Sequence, residues 1–95
     1  MPTHDETEEF FREYRRLHPE RQAQFRRSLL LFREGLESRR FHPSLRVKRY
    51  VSATGVWEMS WAPDGRATFT YGEELTPGSP HIVWLRIGSH DIFRS

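Results

Sequence analysis

Trp57-Glu58-Met59-Ser60-Trp61-Ala62-Pro63-Asp64-Gly65-Arg66-Ala67-Thr68-Phe69-Thr70-Tyr71 decides how the rest of the chain must fold. Two alternating runs flank Ala62-Pro63-Asp64-Gly65, a sequence suited to a type I turn with proline at its second position and Gly65 in the left-handed conformation of a following bulge. In the hairpin this predicts, Trp61 lies opposite Ala67, Met59 opposite Phe69 and Trp57 opposite Tyr71. That face is apolar or aromatic throughout and belongs to a core. The other face carries Val56, Glu58 and Ser60 against Arg66, Thr68 and Thr70, and a slip by one residue would mix the two sets.

Outward from the hairpin, the loop Gly72 to Pro80 leads to a strand over His81 to Ile87. Strict alternation puts Val83, Leu85 and Ile87 on one side and Ile82, Trp84 and Arg86 on the other. With the aliphatic side in the core, Arg86 joins Arg66 outside. On the N-terminal flank, Leu45 to Val51 reads as an extended segment with Leu45 and Val47 on one side and Arg46 and Lys48 on the other, until Ser52 to Gly55 breaks it.

The first forty residues are helical in pattern. Phe10, Tyr14 and Leu17 stand at i, i+4 and i+7, and Thr3 to Glu6 has capping-box spacing, which predicts a helix from Met1 to Leu17. Pro19 suits the first turn of a second helix, whose stripe is Phe25, Leu29, Phe32 and Leu36. A short connection makes the two an antiparallel hairpin. The expected architecture is α+β, a helical hairpin packed on one face of a small, mainly antiparallel β-sheet, as a single domain over residues 1–95.

Composition bounds what such a domain does. A chain of 95 residues buries roughly 60–65% of its unfolded surface in one modest core, so a partner or oligomer is expected. With no cysteine, disulfides and thiolate metal sites are excluded, which fits a reducing cytosol. No stretch is apolar enough for a signal peptide or a membrane span, so a soluble cytoplasmic protein is expected. The formal net charge is +2, but acids crowd Asp5 to Glu13 while Arg39, Arg40, Arg46, Lys48 and Arg49 fall together, giving the two ends different fields.

The outer sheet face is where chemistry is expected. Arg46, Lys48, Arg49, Arg66 and Arg86 supply cations for phosphates, and Trp84 and Phe93 supply ring faces for unstacked bases, the two ingredients of single-stranded RNA binding. Arginine stabilises developing phosphorane charge but does not move protons. His90 is suited to acid or base work near neutral pH, and Lys48 only if neighbouring cations lower its pKa. Plain structural roles stand beside these. With fourteen arginines against one lysine, any single arginine reads equally as a solvated charge, His90 as a tail histidine bonded to Asp91, and Phe93 as an anchor. Glu58 reads as a cross-strand partner of Arg66 or Thr70. His4, His18, His42 and His81 show no ligand spacing with carboxylates, and no metal or other cofactor is expected.

Leu45-Arg46-Val47-Lys48, Gly55-Val56-Trp57-Glu58-Met59, Gly65-Arg66-Ala67-Thr68-Phe69 and Arg86-Ile87-Gly88-Ser89-His90-Asp91, in this order and spacing, resemble the RelE/ParE superfamily of type II toxin–antitoxin toxins. The resemblance runs from about Phe10 to Phe93. It implies a helical hairpin on an antiparallel sheet and, for the RelE-like branch, metal-independent cleavage of mRNA in the ribosomal A site through attack by the 2′-OH. By motif the family's catalytic groups fall on Lys48, Arg66, Arg86 and His90, with Arg46 and Phe93 as RNA contacts. The family's general base varies, so Lys48, His90 and Glu58 all stay open for that role. The resemblance also implies a cognate antitoxin, with which the chain forms a hetero-oligomer. Its ParE branch inhibits DNA gyrase instead, and a relative that only binds antitoxin or RNA is a third possibility. Pro2 to Glu9 is acidic and polar and reads against the β-strand that usually opens this family, so the sheet is expected without that edge.

Overall fold

The computed structural model describes residues 1–89. Strands β1 (Thr3–Glu6), β2 (Lys48–Arg49), β3 (Trp57–Ala62), β4 (Gly65–Tyr71) and β5 (His81–Ser89) form one sheet in the order β1-β5-β4-β3-β2, and helices α1 (Glu8–Arg16) and α2 (Pro19–Ser38) supply the other half of the core. All neighbouring strands are antiparallel except β1 and β5. This is the expected α+β arrangement, with four departures from the sequence reading.

The first lies at the N-terminus, where Thr3 to Glu6 is an edge strand and not a helix start. Parallel pairing sets Thr3 against His81 and Glu6 against Trp84. Thr3 N–H donates to Pro80 O at 3.0 Å and Thr7 N–H to Trp84 O at 3.0 Å. The ladder satisfies the backbone, so an edge strand tolerates polar side chains facing water, and its charges discourage pairing with another chain. His81, buried in β5, fastens the strand by hydrogen bonds to Thr3 Oγ1 at 2.6 Å and Asp5 Oδ2 at 3.2 Å. The helix starts at Thr7 instead, whose Oγ1 accepts from Phe10 N–H and donates to Leu85 O. Glu8 and Glu9 in the first turn and Arg15 and Arg16 in the last suit the helix dipole.

The second helix forms as read, with Pro19 in its first turn and Phe25, Phe32 and Leu36 buried. It stops at Arg39, left-handed at φ 62°, with Arg40 N–H returning to Gly35 O. A Cβ on Gly35 would lie 2.5 Å from Cδ1 of Phe41, whose ring stacks on Phe32 at 5.1 Å, so glycine lets the chain fold back over its own helix.

The second departure is that Leu45 is not in a strand. It ends a short 3-10 turn over Pro43–Leu45, is fully buried, and hands over to Arg46 in the left-handed region at φ 47°. Of the segment Leu45 to Val51, only Lys48 and Arg49 form a strand, pairing with β3.

The hairpin register provides the third. Observed partners are Trp57 with Phe69, Met59 with Ala67 and Ser60 with Arg66, two residues off the expected pairing, with an irregularity between Ser60 and Ala62. Side-chain parity survives a shift of two, so the apolar face still meets the helices. Gly65 does not take a positive φ. Its value is space, since a Cβ there would lie 2.5 Å from Cε2 and 2.6 Å from Cδ2 of the Trp61 indole.

The fourth is in β5, where strict alternation fails. Thr68 pairs with Arg86 but Phe69 with Trp84, leaving Leu85 as a bulge. Below the bulge Ile82 and Trp84 face the helices, and above it Ile87 does. Trp84 is 3% exposed and packs within 6 Å of the Phe10, Phe25, Phe32 and Phe69 rings. It is a core residue, and its expected use as a stacking surface for RNA is withdrawn, because no base can reach it.

Candidate nucleic-acid interface

Strand pairing carries side chains across the outer sheet face in rows. Lys48 pairs with Glu58, Glu58 with Thr68, and Thr68 with Arg86, which makes one row spanning β2 to β5. The adjacent row runs Ser60, Arg66 and Gly88. Arg66 thus stands two residues along β4 from Thr68 and diagonal to Arg86, beside a glycine that adds no bulk. Lys48, Arg66 and Arg86 share this face, as does Glu58.

The charges on it are largely organised by acids. Lys48 Nζ lies 3.4 Å from Glu58 Oε1, and the Glu58 side chain is 13% exposed. The expected partner of Glu58 was Arg66 or Thr70; the actual one is Lys48, because β2 docks directly opposite it. Arg86 Nε lies 2.7 Å from Glu9 Oε1 and Nη2 2.8 Å from Glu13 Oε2. The Glu13 hydrogen bond is the main cause that raises the Arg86 pKa above its ordinary value, against a smaller desolvation effect, with the charges of Glu13 and Glu9 and the nearby Tyr50 adding to it. Neither carboxylate was legible as a site residue, since both come from α1, more than seventy residues away in sequence.

Arg66 turns toward the β3–β4 turn, where Nη1 donates to Gly65 O at 2.9 Å, Pro63 O at 3.2 Å and Ala62 O at 3.3 Å. Arg46, projected by its left-handed backbone, and Arg66 line a cavity of ≈ 300 Å³ with Ser28, Ser44 and Ser60. Arg49 lies over the Trp57 ring at 5.4 Å. Among the described residues, no carboxylate lies within ion-pair distance of Arg46, Arg49 or Arg66. These arginines are the cations of this end of the sheet without a carboxylate at ion-pair distance among the described residues, although the charge of Arg66 helps lower the Asp64 pKa. His90 and Phe93 lie outside the described residues. No group of three or more histidines and carboxylates among the described residues is placed to hold a metal ion, and no helix among them is long and apolar enough to cross a membrane.

Two helices on one five-stranded, mostly antiparallel sheet are the expected α+β fold. No sequence-family profile and no curated protein sequence matches the chain. Solved structures do. A copper-bound mutant toxin from Helicobacter pylori is 13% identical, with a TM-score of 0.67 over 97% of this chain and 98% of that one. YafQ, in the E. coli DinJ–YafQ toxin–antitoxin complex, is 11% identical with a TM-score of 0.68 over 99% and 98%. The solution structure of the hypothetical protein HP0894 from Helicobacter pylori is 17% identical with a TM-score of 0.54 over 96% and 97%. At these identities the likeness establishes a common fold over essentially the whole of each chain.

Proposed function

We propose that this protein is the toxin of a type II toxin–antitoxin pair and an endoribonuclease that cuts mRNA on the ribosome. The observation that carries the reading is the placement of Arg66 beside the row Lys48, Glu58, Thr68 and Arg86 on a fold common to toxins such as YafQ. Likeness to a toxin solved together with its antitoxin also supports a cognate antitoxin as partner.

In the proposed reaction the 2′-oxygen bonds to the adjacent phosphorus as its proton leaves to a base, and the bond from phosphorus to the 5′-oxygen breaks as that oxygen gains a proton. The products are a 2′,3′-cyclic phosphate and a 5′-hydroxyl. Arg66 and Arg86 stabilise the extra charge of the phosphorane, a task for preorganised donors whose individual loss costs about 10²–10³ in rate. His90 transfers a proton. Lys48 and Glu58 stand together as the pair from which a second proton-transfer group comes, while Arg46 and Arg49 hold backbone phosphates and Phe93 stacks on a base. Ribosome-dependent cuts in a defined mRNA, lost on Arg86→Ala, are the expected outcome; cleavage by that variant at the wild-type rate would remove the assignment. The neutralisation of Lys48 and Arg86 by carboxylates favours one rival, a toxin that acts by binding a protein such as gyrase. Growth arrest with intact mRNA and inhibited supercoiling would select it.

A further inference from the structure

We infer that Glu13, assisted by Glu9, is a positioning residue that sets the orientation of Arg86 for its work on phosphate; this rests on the nuclease reading above. β1 ends at Glu6, opposite Trp84, yet β5 runs on to Ser89. Past Leu85 no strand among the described residues pairs with this edge of β5, and α1 packs there instead. Glu13 Oε1 accepts from Ile87 N–H at 3.2 Å while Oε2 accepts from Arg86 Nη2 at 2.8 Å. One carboxylate thus grips the arginine and the backbone immediately after it. Glu9, one turn earlier on the same helix face, brings Oε1 to 2.7 Å from the buried Nε, an ion pair without the alignment of a hydrogen bond. The hydrogen bond at Nη2 and the carboxylate charge beside Nε together oppose rotation of the guanidinium, where the hydrogen bond alone would let it swivel.

The two acids are unequal. The Glu13 side chain is 18% exposed and Glu9 53%, so Glu13 carries most of the effect and Glu9 trims it, exposed ion pairs being weak. An arrangement meant only to close the sheet edge needs an acceptor for Ile87 N–H and no arginine. One meant only to attract RNA would not set two carboxylates on the cation. Orientation at the expense of net charge is the role that fits both, and it predicts a defect in turnover more than in affinity, because Arg46, Arg49 and Arg66 are left to attract the strand.

The test compares Arg86→Ala, Glu13→Ala, Glu13→Gln and Glu9→Ala in steady-state cleavage, together with NMR of the Arg86 Nε–H in arginine-labelled protein. Glu13→Ala is expected to lower kcat roughly 10- to 100-fold, the scale of a small misplacement of a reacting group, with KM little changed. Glu13→Gln, whose single carbonyl oxygen accepts from Ile87 N–H or from Arg86 Nη2 but not from both, should recover only part of the loss, and Glu9→Ala should lose less than Glu13→Ala. The Nε–H signal should exchange slowly in wild type and fast in Glu13→Ala. Full cleavage by Arg86→Ala would bring down the nuclease site itself. An inactive Arg86→Ala beside a Glu13→Ala whose kcat is unchanged, or whose loss lies entirely in KM, would overturn positioning and leave the site standing. Should Glu13→Ala fail to fold, a freely exchanging Nε–H in the wild-type protein, or a wild-type kcat in both Glu9→Ala and Glu13→Gln, would overturn it equally.

Discussion

Replacing Trp84 by alanine separates a core role from a surface role more sharply than any other single change. The indole is 3% exposed and meets Phe10, Phe25, Phe32 and Phe69 at ring-centroid distances of 5.1–5.8 Å, so it joins both helices to the sheet. Truncating a buried tryptophan costs about 3–5 kcal/mol, a large share of the roughly 5–15 kcal/mol that holds a domain folded. For a chain of this length each kcal/mol moves the melting point by about 4–8 °C, which predicts a drop of about 12 °C or more. Trp84→Phe keeps one ring among the four and should lose less than half as much. Thermal melting by circular dichroism measures both, with RNA binding by fluorescence anisotropy read at a temperature where every variant is folded. A Trp84→Ala protein that melts with the wild type and has specifically lost RNA affinity would refute the core assignment and restore the stacking role.

Gly65→Ala should destabilise by about 1–3 kcal/mol, because the added methyl meets rigid indole atoms of Trp61, held from other directions by Phe25 at 6.3 Å and the Arg21 guanidinium at 4.7 Å; an unchanged urea midpoint would contradict this packing. In the salt dependence of RNA binding, Arg46→Ala and Arg66→Ala should each reduce the slope by about 0.7, whereas Arg86→Ala should reduce it less, since Glu9 and Glu13 already offset its charge. Equal slopes for the three would show that the carboxylates do not screen Arg86. The hydrogen bond from Arg21 holds the Asp64 carboxyl below its ordinary pKa. A pKa lower in the folded than in the unfolded chain adds stability above the ordinary carboxylate range and loses it as pH falls through the folded value. Arg21→Gln should therefore raise the Asp64 midpoint in an NMR titration and flatten the acid limb of stability; a midpoint that does not move would remove the pair.

What was legible in the sequence was whatever depended on local period and parity. The stripe Phe25, Leu29, Phe32 and Leu36 announced α2, and the two-residue period of β3 and β4 sorted Glu58, Ser60, Arg66 and Thr68 to the outer face even though the register was off by two, because an even shift leaves parity intact. The errors arose where distant chain decides. Thr3 to Glu6 is a strand only because β5 offers it a ladder and His81 clasps it, neither of which is visible in a polar tetrapeptide. The Leu85 bulge inverted the sides of Ile82, Val83 and Trp84, and nothing in the run His81 to Ile87 marks where alternation breaks. The site divides in the same way. Lys48, Arg66 and Arg86 could be sorted to one face by counting, but Glu9 and Glu13 reach Arg86 from a helix whose charges read simply as a solvated surface.

Primer extension on a defined mRNA in a reconstituted translation reaction, with and without ribosomes, tests the central claim most directly when wild type is compared with Arg66→Ala and Arg86→Ala. Ribosome-dependent cuts by the wild type, lost or reduced about 10²-fold or more in both variants, are the predicted result. Intact mRNA under wild-type protein that still arrests growth, or cuts that persist at the wild-type rate in both variants, would contradict it.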